Sequence, residues 1–436
     1  MRLDNRKISK AKKSALYKRL IFVISVLVLV LLVFPALYGI VNLDKIFTNK
    51  KADNVGNTFS PVKITYSEGY EVRFHRVLKS KDNIVAVGTI LKNADLKYQL
   101  FFVIFDANGQ IIHKVEFGAE GDEWGYDLLK DGDEYIVIGL SSSRSLNVQG
   151  RYDVLVLRID KDGNIVSYNT YGGPDWDRVY KILKVNGGYV FVGDNFMKGG
   201  DVYENYGEHD FWVVKIDRNG KIIWSKSFGG IKWDRAYSAE YDASSDTIIV
   251  VGSSNSFNDG NRYDGYVVAY DSNGQMKWNV VLSNFNTLWP TSVSIFNSEI
   301  YVGGYVFENG EEKSFISKIN LSGKVEYIKT FAQNTRIQSL KPIQDDNKNT
   351  TIYFVGYKDS VKDSGENNGD NSGRKIPWYG QFNFAEGMIT PVVVQYTLGY
   401  DYGMLFDISY DGFSAIVCGF VMEKGKISGL IESIGN

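Results

Sequence analysis

The sequence predicts an all-β fold: a seven-bladed β-propeller of four-stranded antiparallel blades, preceded by one transmembrane helix. Three observations predict it. An apolar-Gly block recurs as Val87-Gly88, Ile138-Gly139, Val192-Gly193, Val251-Gly252, Val302-Gly303, Val355-Gly356 and Cys418-Gly419, with successive glycines 51 to 63 residues apart. The clearest copies hold four short strand-like runs separated by turn residues. A long uncharged apolar run lies ahead of the first copy, behind a basic N-terminus. A period of this size marks a chain built from one supersecondary unit used many times.

Residues 1–19 form a basic segment in which eight Lys and Arg side chains stand against Asp4, giving +7. The whole chain is −2, so the remainder carries −9. Residues 20–41 (LIFVISVLVLVLLVFPALYGIV) hold no charge. At a rise of about 1.5 Å per residue, a helix of this length crosses a hydrocarbon core of about 30 Å. The basic flank is expected to stay in the cytoplasm, making the run a signal anchor that places the C-terminal side outside. The rival is a cleaved signal peptide, whose apolar region is normally shorter. No small-x-small cleavage site follows, since Ala36-Leu37-Tyr38 fails at its last position. The only cysteine, Cys418, lies far from the N-terminus, which excludes a bacterial lipoprotein. Residues 42–59 read as a polar tether, and 60–436 as the propeller.

About 380 residues would be large for one ordinary core, but repeat units pack only on their neighbours. Aromatic residues at 14% and 44 glycines suit short strands with tight turns. A mildly acidic body argues against nucleic acid, which needs clustered Lys and Arg. Cys418 sits in the strand-like AIVCGF and is expected to be a small buried hydrophobe without a disulfide partner.

The third copy shows the unit best. RVYKILKV (178–185) is followed by the turn Asn186-Gly187-Gly188 and the second strand YVFVGDNF (189–196). After a polar loop come DFWVVKID (210–217), a turn at Arg218-Asn219-Gly220, and KIIWSKSF (221–228). Turns before the fourth strand repeat as Asp106-Ala107-Asn108-Gly109, Asp160-Lys161-Asp162-Gly163, Asp217-Arg218-Asn219-Gly220 and Asp271-Ser272-Asn273-Gly274. Asp and Asn bond their own backbone there and Gly takes positive φ. A calcium loop at Asp160 is rejected because Tyr171 stands where the twelfth-position Glu belongs. The last copy ends where the others turn into a fourth strand, while 60–66 (SPVKITY) is a strand-like orphan before the first copy. This orphan is expected to supply the missing strand and close the ring, removing exposed edges.

At these residues the chain resembles a family of bacterial and archaeal surface β-propeller repeats. Their blades read Y/F-G-G, an acidic residue before the inner strand, G-G-Y and three apolar residues before Gly, then a D-x-x-G turn and a Trp-bearing fourth strand. Copies three and four carry most of this pattern, and the others keep its register over 60–436. The resemblance implies the fold and an exported, usually non-catalytic role, with no common ligand. The Trp224 and Trp278 strands also resemble the tryptophan-docking strand of quinone-type propellers, but the Ala-x-Asp-x-x-Thr-Gly-Lys form is absent.

In a four-stranded blade, the segment leading into the inner strand and the loop between strands two and three emerge on one face, here the loop face. The other turns emerge on the opposite turn face. Three long polar insertions, 197–209, 253–263 and 358–377, are expected on the loop face. An acidic and aromatic rim is expected beside them: Glu71, Asp122, Glu123, Trp124, Asp175, Trp176, Asp177, Trp233, Asp234, Trp289, Tyr400 and Asp401. Such a rim could bind a sugar, a cation or a basic peptide. Equally, its acids could accept backbone N–H bonds and its tryptophans wedge neighbouring blades. The three histidines, His75, His113 and His209, fall at different repeat positions, so spacing suggests no metal site or cofactor. His209 reads as a solvated loop residue. The expected role is a binding or scaffold module for a protein partner or surface glycan. The alternative is a carbohydrate-active enzyme using two rim carboxylates.

Overall fold

Strands begin where turn residues give way to β-branched and aromatic runs, and they end at Asx-Gly or Gly-rich corners. The computed structural model describes residues 62–282, 285–344, 350–359, 374–384, 392–400, 402–412 and 414–434. The basic segment, the expected anchor at 20–41 and the tether up to 59 lie outside them. Among the described residues no helix is long and apolar enough to cross a membrane. Their one helical element is a single 3-10 turn, Arg144–Leu146.

The strands associate in antiparallel fours. The clearest set runs Arg178–Val185, Gly188–Asn195, Asp210–Ile216 and Ile222–Phe228, each within a residue of the run read from sequence. Among the described residues five sheets are of this kind, and a sixth holds eight strands. That sheet divides at one parallel pair, Glu71 with Ile427. On one side lie Gly403–Tyr410, Ala415–Glu423, Lys426–Ile434 and Lys63–Tyr66; on the other lie Glu71–Lys79, Asn83–Leu91, Gln99–Asp106 and Ile111–Phe117.

First strands touch one another in turn. Glu71–Lys79 meets Glu123–Asp131, and the circuit continues through Arg178–Val185, Asp234–Asp242, Thr287–Phe296, Thr335–Gln344 and Gly403–Tyr410, which returns to Glu71–Lys79. Sheets standing around an axis in this way form a β-propeller. The buried side chains form clusters, each shared by two successive sheets, as where Val192, Phe211 and Trp224 meet Ala236, Ile248 and Tyr266.

The orphan strand closes the circuit. Lys63–Tyr66 pairs antiparallel with Lys426–Ile434, Lys63 opposite Glu432 and Tyr66 opposite Gly429. Val62 and Tyr66 are buried, and Tyr66 packs 5.1 Å from Phe101 and 6.3 Å from Phe74 by ring centroids. Ile64 lies against the turn glycine Gly109, as Trp224 and Trp278 lie against Gly274 and Gly323. The two tryptophans also donate from Nε1 to the carbonyls of Ser272 (3.1 Å) and Leu321 (3.0 Å) in the following sheet. In the turns, Asp106, Asp160, Asp217 and Asp271 each accept two backbone N–H bonds through Oδ1, and Asn320 repeats the arrangement in a fifth.

The repeating apolar-Gly block has a specific cause. Every first strand carries a bulge, at His75, Tyr126, Tyr180, Tyr237, Thr291, Gln338 and Phe406. Each bulge drives a backbone carbonyl into the neighbouring second strand. A Cβ on Gly88, Gly139, Gly193, Gly252, Gly304, Gly356 or Gly419 would stand 1.8 to 2.0 Å from that carbonyl oxygen. Close approach selects glycine at these positions. In the fifth copy the equivalent residue is Gly304, paired with Pro290, and the expected Gly303 sits one place off the repeat.

Candidate functional site

Residues that follow the bulges hold the axis together. Bulging frees a backbone N–H in each case, and the preceding sheet supplies the acceptor. Val77 N–H donates to Asp407 Oδ2 (3.2 Å), Ile182 N–H to Asp127 Oδ2 (2.9 Å), Val293 N–H to Ser238 Oγ (3.4 Å) and Leu340 N–H to Ser292 Oγ (3.1 Å). Arg76 bridges the two flanking sheets, reaching Asp127 (3.0 Å) and Asp407 (2.8 Å), and Lys181 reaches Asp127 at 3.4 Å. A cavity of about 130 Å³ opens beside this belt, lined also by Glu240 and Lys341. One layer towards the loop face, the bulged rings pack on one another: His75 stacks on Tyr126 and tilts against Phe406, and Tyr180 meets Tyr126 and Tyr237. His75 donates from Nδ1 to the Gly125 carbonyl (2.7 Å), and burial pulls its pKa down to about 4, so it is neutral. Sequence reasoning missed this belt, because single Asp and Ser residues in apolar strands carry no pattern.

Chain direction and two backbone bridges, Tyr152 with Trp176 and His209 with Trp233, place the inter-strand loops beside the segments leading into the first strands. Insertions 197–209 and 253–263 lie there, held by Asp201 N–H to Gly172 O (2.9 Å) and Lys232 N–H to Ser256 Oγ (2.9 Å). Residues 360–373 of the third insertion lie outside the described residues.

The rim residues divide. Glu123, Asp177 and Asp234 are fully buried and present no rim. Asp177 Oδ2 accepts the Gly173 N–H (2.6 Å), Asp234 Oδ2 accepts the Gly230 N–H (2.7 Å), and Glu123 Oε2 accepts the Ala119 N–H (2.9 Å). Each faces a second polar side chain across a glycine. A Cβ on Gly172 would lie 2.6 Å from Asp153 and 2.8 Å from Asp177, and one on Gly229 would lie 2.1 Å from Asp210 and 2.5 Å from Asp234. This closure explains the first glycine of the Y/F-G-G motif. Burial, reinforced by the charges of Asp153 and Asp194, pushes Asp177 up to about 8. Burial and the neighbouring Asp234 push Asp210 up to about 7.

The remaining rim acids are tied down. Glu71 pairs with Arg73 (2.6 Å), Asp122 accepts the Tyr98 N–H (3.0 Å), and Asp175 stands 3.4 Å from Arg151. Tyr400 sits near the closing strand, with its ring under Lys63 and its hydroxyl on Glu432 (3.4 Å), and Asp401 lies outside the described residues. The tryptophans do wedge between sheets: Trp124 sits between Tyr98 of the preceding sheet and Tyr152 of its own, Trp176 tilts against Tyr152, Trp233 against His209, and Trp289 sits between Tyr263 of the preceding sheet and Tyr305 of its own. His209, expected in solvent, is buried, with Nδ1 2.7 Å from Asp194.

Arginines stand where acids were expected. Two residues before the bulge, at one register around the axis, are Arg73, Trp124, Arg178, Arg235, Trp289, Arg336 and Met404. Their side chains are a fifth to two-fifths exposed in the arginine cases. Arg178 lies over Trp176, Arg235 over Trp233 (4.5 Å) and Arg336 over Tyr305 (4.3 Å). The signal was present in Trp176-Asp177-Arg178 and Trp233-Asp234-Arg235. Neighbours in a strand point to opposite faces, so burying Asp turns Arg the other way. Among the described residues no cluster of three or more His, Cys, Asp or Glu side chains could hold a metal ion.

These features define a β-propeller whose loop face carries arginines and aromatic side chains above buried acids. No family model and no curated protein matches the chain. Solved structures similar to it include the WD40 β-propeller domain of Doa1, at 10% identity and TM-score 0.43, covering 85% of this chain and 96% of that one. The β-propeller domain of the Trilobed protease from Pyrococcus furiosus is similar at 10% identity and TM-score 0.47, covering 84% and 95%. The Pyrococcus horikoshii acylaminoacyl peptidase is similar at 13% identity and TM-score 0.45, covering 85% of this chain and 53% of that one. At these identities no activity, ligand or partner transfers to this chain.

Proposed function

We propose that this chain is a membrane-anchored, seven-bladed propeller displayed outside the cytoplasm, binding a protein partner or a surface glycan through its loop face without catalysis. One observation carries the choice of face. Large hydrophobic side chains exposed away from the outer strands are Tyr70, Leu96, Met197, Tyr203, Tyr206, Ile231 and Phe257, and all lie on loop-face segments. Among the described residues the turn face has none. Exposed apolar side chains gathered on loops held by a rigid scaffold favour a binding surface. Anchoring rests on the +7 flank beside the uncharged run 20–41.

Two experiments test this reading. Protease added to intact cells should degrade the propeller and spare the N-terminus; a shortened, soluble mature chain would refute the anchor. Pull-down and glycan-array binding should be compared between the parent chain and two variants. One lacks 358–377, and the other changes Trp176 and Trp233 to Ala. If both variants fold and keep every interaction of the parent, the face is wrong. Turnover of a polysaccharide, lost on changing Glu71, Asp122 or Asp175, would make the protein an enzyme.

A further inference from the structure

We propose that the loop face binds an acidic, apolar-bearing peptide segment of a partner protein, seated on Ile231 and Phe257 with a carboxylate on Arg235. This inference rests on the loop-face reading and narrows its ligand.

The argument starts from Arg235. Of the four arginines at its register, Arg73 has Glu71 at 2.6 Å, Arg178 has Asp194 at 3.3 Å, and Arg336 holds Glu312 in a two-pronged bond at 2.8 and 2.7 Å. Arg235 approaches Asp194 only to 3.9 Å, the longest ion pair of the four. Asp194 is already shared with Arg178 and lies against His209. Arg178 takes the shorter contact with that carboxylate, so Arg235, about a quarter exposed, keeps the loosest ion pair at this register. Stacking on Trp233 fixes the plane of the Arg235 guanidinium, so little freedom is lost when a carboxylate docks on it.

The chain from Arg235 back to Ile231 crosses the loop face outward. Ile231 is 74% exposed, the highest value among the large hydrophobics of the described residues, and Phe257 is 50% exposed. Backbone contacts join the neighbouring loops into one surface. A Cβ on Gly207 would lie 2.5 Å from Ile231, and one on Gly230 would lie 3.7 Å from the Phe257 ring. Tyr206, beside Gly207, is also exposed. Aromatic and aliphatic anchors next to an arginine are the composition of protein-binding hot spots. Charge complementarity then selects an acidic segment over a basic one.

The full chain in detergent micelles would be panned against a phage-displayed library of random 12-residue peptides. Enriched peptides should pair Asp or Glu with apolar side chains. Synthetic copies should bind at least tenfold more weakly to Arg235→Gln and to Ile231→Asp, and equally well to Lys161→Gln on the turn face. Ile231 is exposed, so its variant tests the site without burdening the fold. Basic consensus peptides, no enrichment at all, or binding untouched by both loop-face variants would overturn the proposal. Binding lost in Trp176→Ala or on deleting 358–377, but kept in Arg235→Gln and Ile231→Asp, overturns it and leaves the loop-face reading standing. Binding lost only in Lys161→Gln overturns both.

Discussion

Tyr66→Ala tests the closing strand, because this one side chain couples the N-terminal strand to two sheets. Its ring is 8% exposed and packs on Phe74 and Phe101, within the cluster that also buries Val72, Ile416 and Cys418. Removing a buried ring of this size costs about 3 kcal/mol, mostly from lost burial and the cavity left behind. The Tyr66 hydroxyl contributes less, because its partner Glu68 is near the surface and already held by Lys114. Tyr168, on another fourth strand, is 38% exposed, and its replacement by Ala should cost about 1 kcal/mol or less. With a urea slope of about 3 kcal/mol per molar, Tyr66→Ala should lower the midpoint by roughly 1 M. Tryptophan fluorescence in urea measures this, and light scattering follows association. Deleting 62–66 should go further, exposing the Lys426–Ile434 edge and promoting aggregation. If Tyr66→Ala costs no more than Tyr168→Ala, and the deletion stays monomeric with an unchanged midpoint, closure contributes nothing to stability.

Other expectations follow from the same geometry. Asp177 and Asp210 have raised pKa values, about 8 and about 7, so the folded state holds their protons more tightly than the unfolded chain does. Their effect is neutral below about pH 4, and each then removes about 1.4 kcal/mol per pH unit until its folded pKa is passed. Melting temperature should therefore fall from pH 5 to pH 8, and Asp177→Asn should flatten the curve; an unchanged slope would refute the linkage. Gly193→Ala should destabilise by about 3 kcal/mol, since its Cβ would meet the Arg178 carbonyl oxygen at 1.9 Å. Gly187→Ala, at φ +83° in open space, should cost only about 1 kcal/mol, and equal midpoints for the two in urea would show the bulge yields. Arg76→Gln should cost about 3 kcal/mol by leaving Asp127 and Asp407 without their shared cation, and Asp407→Asn should recover part of it. Failure of that recovery in a double-mutant cycle would refute the coupling.

The sequence alone determined the repeat, the strand runs of the third set and the need for a strand from the N-terminal side. These are local or periodic properties, carried by turn residues such as Asp217 to Gly220 and by apolar spacing. Even a degenerate copy keeps them, because each sheet must bury both faces against its neighbours. Only the tertiary structure decided what the residues between those runs do. The bulge in each first strand sets which side chains face the axis, and nothing in the pattern marks its position. Hence Gly304, not Gly303, meets the Trp289 carbonyl oxygen. Hence also Asp177 and Asp234 turn inward onto backbone N–H groups while Arg178 and Arg235 reach the loop face. His209 shows the same limit: its loop reads as polar and exposed, yet Trp233 from the next sheet and Asp194 from its own enclose it. Burial of a polar side chain depends on partners brought together by closure of the ring, and those partners are far apart in the chain.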